Sequence, residues 1–165
     1  MNDYNASWSP DGKSVLFTSD LAPALPHLEI FNIETRQASV VPGSEGSWLA
    51  RWSPDGKHLA ALSVDGELKL FDGKSSTWNK VRNDVNGLAW SHDSRSMYVI
   101  REKPTPAILR LSLAGKKEQE VASLKEVQIS DTVGVPLFVT PRDEPLIRQQ
   151  TALETEIYAL FWDPQ

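Results

Sequence analysis

Trp8-Ser9-Pro10-Asp11-Gly12-Lys13 returns as Trp52-Ser53-Pro54-Asp55-Gly56-Lys57 and, more loosely, as Trp90-Ser91-His92-Asp93-Ser94-Arg95. The intervals are 44 and 38 residues, a spacing at which one supersecondary unit is stacked on the next. A fourth copy, Val139-Thr140-Pro141-Arg142-Asp143-Glu144, follows after 49 more, with Val139 in the Trp place and Arg142-Asp143 in the Asp-Gly place. The motif has a local physical role. Pro10 presets φ at about −65°, Asp11 bonds the backbone of a turn and Gly12 accepts positive φ, so Ser-Pro-Asp-Gly closes a hairpin with a bulge. The fourth copy lacks that chemistry, and its turn geometry is open. Trp8, Trp52 and Trp90 stand at strand ends, where a large aromatic is a packing wedge rather than a ligand platform.

Outward from each turn lies a short run of β-formers: Val15-Leu16-Phe17, Leu59-Ala60-Ala61-Leu62, Met97-Tyr98-Val99-Ile100 and Leu146-Ile147. A second strand aligns from copy to copy at Ile30 and Ile33, Leu68 and Phe71, Ile108 and Leu111, Ile157 and Leu160. A third follows in the first three copies at Ala38 to Val41, Trp78 to Val81 and Glu120 to Ala122. With the strand that precedes the signature, each full repeat holds four strands. One segment argues otherwise: Glu118 to Val127 is rich in helix formers, with Val121, Leu124 and Val127 at three-residue spacing. Repeat alignment favours a strand through Ala122, because tertiary context overrides local propensity.

The composition is that of a folding chain. Among 165 residues, 40% are hydrophobic and 24% charged, which excludes the depleted, highly charged composition of disorder. Seventeen basic against 22 acidic residues give a net charge of −5, and no basic cluster exists for tracking phosphates, so direct nucleic-acid binding is not expected. With no cysteine there is neither a disulfide framework nor a thiolate metal site. The start, Met1-Asn2-Asp3-Tyr4-Asn5, lacks signal-peptide features, and no apolar run approaches the roughly 18 residues of a membrane helix. A chain without membrane insertion is expected.

Four-stranded units of about 40 residues are the blades of β-propellers. Trp-Ser-Pro-Asp-Gly-Lys followed by an apolar strand and a Glu29-Ile30-Phe31-type strand resembles the WD40-like repeat of TolB-like propellers. The stretch from Phe138 through Pro145-Leu146-Ile147-Arg148 to Glu156-Ile157-Tyr158-Ala159-Leu160 is similar to the last blade of propellers appended to bacterial winged-helix regulators and Ser/Thr kinases. The resemblance implies an all-β fold of antiparallel four-stranded blades, about four of them in one partial domain spanning 1–165 and belonging to a six- to eight-bladed propeller. The boundaries are about 4–43, 47–82, 85–123 and, lacking its fourth strand, 134–165.

The same residues carry little catalytic or metal-binding chemistry. His27, His58 and His92 lack metal-ligand spacing and read as surface residues, His92 in the Pro slot of a turn. Ser91-His92-Asp93 has the residue types of a hydrolase triad without the convergence its roles need. A Gly-x-Ser-x-Gly elbow and a phosphate loop are both missing from the sequence. Asp65-Gly66-Glu67 and Asp72-Gly73 lack calcium-loop spacing and read as hairpin turns. No catalytic, cofactor or metal residue is expected, and the chain is not expected to be an enzyme.

The resemblance further implies that the first strand of each blade lines a channel whose mouth takes ligands. Candidate contacts are then Tyr4, Asn5, Ser7, Trp48, Arg51 and Asn86, with the run near Val135; the alternative for each is channel packing or a solvated wall. The expected role is a scaffold that binds protein or small-molecule ligand, the sensing part of a larger bacterial regulator or kinase in periplasm or cytoplasm, with the periplasm favoured for a membrane-tethered parent. Alternatives are the noncatalytic portion of a larger peptidase, or a self-assembling four-blade module. Missing blades would come from the parent chain or from a homodimer.

Overall fold

The computed structural model describes residues 2–20, 24–115, 117–127, 136–150 and 155–159, with side chains in 5–20, 24–115, 117–127 and 136–147. Fifteen β-strands and no helix are found among them. The chain divides into two compact units, Met1–Asn83 and Asp84–Gln165.

The first unit holds two four-stranded antiparallel sheets, each in simple chain order. One comprises β1 (Asn2–Trp8), β2 (Ser14–Asp20), β3 (His27–Asn32) and β4 (Gln37–Val40); the other β5 (Ser47–Trp52), β6 (His58–Ser63), β7 (Leu68–Asp72) and β8 (Thr77–Arg82). In the second unit, β9 (Val85–Trp90), β10 (Ser96–Arg101), β11 (Ala107–Ser112) and β12 (Glu118–Ser123) repeat the pattern. They are followed by the three-stranded sheet β13 (Leu137–Val139), β14 (Pro145–Gln150) and β15 (Thr155–Ala159). Val135 and Leu160 lie outside the described residues.

Register confirms that one unit is repeated. Trp8 pairs with Val15, Trp52 with Leu59 and Trp90 with Met97, so the same seven-residue step spans each signature turn. In the second and third sheets burial falls from the first two strands to the last: β5, β6, β9 and β10 are mostly buried, whereas β8 and β12, like β4 of the first sheet, hold no buried residue. Glu118–Ser123 is a strand, as repeat alignment predicts, paired along β11. Its neighbour Leu124 is fully buried, and Val121 and Val127 pack on the same cluster, which accounts for the helix-like apolar spacing.

Each unit has its own core, formed where two sheets lie face to face. In the first, Leu16, Leu28 and Val41 meet Ala50, Leu59 and Ala61, with Ile30, Trp52, Phe71 and Trp78 against them. Phe71 and Trp78 are tilted neighbours with ring centroids 5.0 Å apart. In the second, Tyr98, Ile100, Ile108 and Leu124 meet Leu137 and Ile147. In both cores one face of a sheet takes the face carrying the signature position, Trp52 or Val139, of the next.

Candidate functional site

The signature closes on itself as a hydrogen-bonded latch. Ser9 Oγ donates to Asp11 Oδ1 at 2.6 Å, the Lys13 amide donates to the same oxygen, and the Ser14 amide donates to Ser9 Oγ. Ser53, Asp55, Lys57 and His58 repeat every bond, as do Ser91, Asp93, Arg95 and Ser96. The residue three after each serine has positive φ: Gly12 at 70°, Gly56 at 72° and Ser94 at 60°. Its amide returns to the serine carbonyl at 2.9 to 3.0 Å. Pro10, Pro54 and His92 sit where no strand amide is demanded, so the motif is explained in full by turn geometry.

The latch has an electrostatic signature. The serine hydroxyl, seconded by a backbone amide, holds the carboxyls of Asp11, Asp55 and Asp93 below their ordinary value. A carboxyl with a depressed folded pKa contributes stability that is present above the unfolded value of about 4 and is lost as pH falls through the folded one. Denaturation midpoints measured from pH 6 to pH 2 should therefore fall at the acid end, and Asp55→Asn and Asp93→Asn should flatten that fall. A slope unchanged in these variants would contradict the latch.

The fourth copy closes differently. Val139 pairs with Pro145, a loop one residue shorter than the other three. Thr140 Oγ1 alone receives the Arg142 and Glu144 amides, at 3.3 and 3.2 Å, because Arg142 brings no carboxylate. Asp143 takes the positive φ, 65°, that glycine has elsewhere. Its carboxylate reaches another turn: Oδ1 accepts from the His92 amide at 2.9 Å and lies 3.1 Å from His92 Nδ1. Tyr98 adds its hydroxyl to the Asp143 carbonyl at 2.8 Å. In the first unit the corresponding pair is Pro10 and Gly56, where a Cβ on Gly56 would stand 3.9 Å from the proline ring. Proline has no amide proton and glycine no side-chain acceptor, so the two departures from the motif create a bond the first unit lacks. Because the His92 amide survives side-chain replacement, Asp143→Ala should cost about 0.5–1.5 kcal/mol and His92→Ala less. Non-additivity of the pair in urea unfolding checks this.

Of the channel-mouth candidates in the first unit, Asn5, Trp48 and Arg51 converge, and their polar groups are engaged. Asn5, at a bulge in β1 with φ of 58°, donates from Nδ2 to the Trp48 carbonyl at 2.9 Å. Thr18 Oγ1 donates to the same carbonyl at 2.8 Å. Arg51 Nη1 returns to the Asn5 carbonyl at 3.2 Å and to the Ala50 carbonyl at 2.8 Å. Burial pulls the Arg51 guanidinium below its usual pKa. The Trp48 ring is buried, and its Nε1 donates to the Ser63 carbonyl at 3.0 Å. Asn86 lies in the second unit, on β9, where it bonds Glu102. Tyr4 is on β1, its side chain outside the described set. Thr18 carries no sequence signal of its role; Asn5, tolerant of the left-handed region, carries a faint one.

No protein-family model matches the chain. A 62-residue stretch is 39% identical to the Tol-Pal system protein TolB of Alcanivorax borkumensis, covering 36% of this chain and 14% of that protein. Over 96% of its length the chain superposes on 41% of the crystal structure of TolB from Acinetobacter baumannii, with a TM-score of 0.74 at 13% identity. The fold is that of a TolB-like β-propeller. Each sheet is a blade, and the chain spans well under half of these longer proteins. The same blades superpose, with TM-scores of 0.67 and 0.64, on 26% of a puromycin hydrolase and 17% of the tricorn protease.

Among the described residues no group of three His, Asp or Glu side chains is placed to hold a metal ion. Ser91, whose hydroxyl bonds Asp93 and the Ser96 carbonyl, does not meet His92, whose ring nitrogen turns to Asp143. Among the described residues no helix is long and apolar enough to cross a membrane.

Proposed function

We propose that the chain is a noncatalytic propeller segment that binds another protein, the interaction part of a larger bacterial receptor-like or regulatory polypeptide. One observation carries this reading: the serine, aspartate and histidine side chains that would perform chemistry are spent on latching turns and joining blades. What remains to act is a rigid surface. The likeness to TolB, a Tol-Pal system protein, supports a binding role and favours a bacterial periplasmic setting over the cytoplasm. The inner-strand ends near Tyr4, Asn5, Ser7 and Arg51 are the contact surface of the first unit in this reading, with Trp48 a buried support beneath them, and Asn86 is the corresponding candidate of the second unit.

The test is a photo-crosslinking amino acid at Ser7, a half-buried inner-strand position, in cells carrying the parent protein, with the exposed Ser39 of β4 as control. Adducts to one protein at position 7 and none at position 39 are expected; identical patterns at both would overturn the assignment of the surface. A fluorophosphonate probe should leave the 165-residue chain unlabelled, and stoichiometric labelling of Ser91 would overturn the noncatalytic reading. A second reading, the noncatalytic part of a larger peptidase, is favoured by the puromycin hydrolase and tricorn protease superpositions. An α/β-hydrolase signature in the adjoining coding sequence supports it; a winged-helix or kinase signature supports the first.

A further inference from the structure

The repeat makes one tryptophan anomalous. Trp90 is 5% exposed and Trp52 is half-buried against the first core, yet Trp8, in the same place of the same motif, is 63% exposed. The difference lies in what faces it. Pairing across the blades identifies the residues of β1 to β4 equivalent to the Trp52 face: Ala50, Leu59, Ala61, Phe71 and Trp78 correspond to Ala6, Val15, Phe17, Phe31 and Ala38. This is an apolar sheet face of half-buried and exposed residues that neither core covers, and the exposed Trp8 lies on it at the end of β1.

The first unit also records what such a face takes. Trp52 and its neighbours receive Leu16, Leu28 and Val41, the opposite face of the preceding blade. In the second unit, Tyr98, Ile100 and Ile108 are offered in the same sense to Leu137, Val139 and Ile147. Alternation along β13 and β14 then turns Phe138 and Leu146 to the far side of the fourth blade, Leu146 at the place that Leu16 holds in the first. Phe138 is 53% exposed. The chain thus carries both halves of the contact that its own cores make twice, one half open on the first blade and the other on the fourth.

We propose that these two faces are a docking pair for a second copy of the chain: the Phe138 and Leu146 face of one copy seats on the Trp8 face of its partner. The contact is heterologous, because the surfaces differ. Large apolar side chains exposed together on a sheet face mark such surfaces, and the internal precedent supplies the chemistry of the occupant.

The absence of cysteine permits a direct test. Trp8→Cys and Phe138→Cys chains, prepared separately, are mixed under mild oxidation. A disulfide between the two different variants is expected in several-fold excess over either variant with itself. Sedimentation of the unmodified chain at about 100 µM should give at least twice the chain mass, with Trp8→Asp and Phe138→Asp each reducing it to that of one chain while the far-ultraviolet spectrum keeps its β form. Both positions are more than half exposed, so neither change should unfold the blades. A monomeric unmodified chain, as expected if the face is reserved for another blade of a longer polypeptide, would overturn the proposal. So would assembly unaffected by both aspartate variants, or cross-linking only between identical variants. None of these outcomes bears on the crosslinking at Ser7.

Discussion

Trp90→Ala is expected to remove about 3–5 kcal/mol of folding stability, whereas Trp8→Ala in the monomeric chain should cost below about 1 kcal/mol. The residues hold the same position in the same motif, so propensity, turn chemistry and local sequence nearly cancel in the comparison. What differs is burial: Trp90 is 5% exposed and Trp8 63%. Removing a buried indole forfeits its transfer free energy and leaves a cavity that close-packed neighbours fill only partly. Removing an exposed one forfeits little of either. Urea midpoints of the two variants, each measured in a Phe138→Asp background where assembly complicates the baseline, give the comparison directly against that shared parent. Similar losses for both would mean that the tryptophan acts through its turn rather than through packing.

Trp48→Ala should lose a comparable amount, about 3–5 kcal/mol, and Trp48→Phe about 0.5–1.5, because the Ser63 carbonyl keeps the Gly66 amide. The Trp48 side chain is 9% exposed, so truncation opens a large void, while phenylalanine restores most of the volume and leaves the Ser63 carbonyl without its Nε1 donor. The backbone carbonyl of residue 48 still accepts from Asn5 and Thr18 in both variants, which keeps the two blades joined. Thermal or urea unfolding of the pair separates volume from hydrogen bonding. If Trp48 were an exposed ligand platform, Trp48→Ala would leave the midpoint unchanged and lower only binding.

The strands and their order were legible because the repeat aligns weak local signals into a consistent one. Glu118 to Val127 shows the rule: its helix-forming residues 118–123 lie in a strand and 124–127 in the turn after it, because β11 offers a partner and Val121, Leu124 and Val127 share a core. The signature turns were legible because Pro, Asp and Gly each have one economical use in a hairpin. Less of the candidate site could be read. Asn5, Trp48 and Arg51 were singled out for a channel mouth, yet it takes the register between blades to bring Asn5 Nδ2 and Thr18 Oγ1 onto one carbonyl. His92 reads from the sequence as a surface residue and is exposed; its bond to Asp143 spans 51 residues and depends on two departures from the motif that reveal each other only in the folded unit.

The signature is a structural latch whose serine and aspartate are occupied. Amide hydrogen exchange tests it residue by residue. At neutral pH the amides of Ser14, His58 and Ser96, which donate to the latch serines, and of Lys13, Lys57 and Arg95, which donate to the latch carboxylates, should be protected well beyond ordinary turn amides. Below the carboxylate range the second set should lose protection first. Exchange of all six at the rates of an unbonded turn at neutral pH would contradict it.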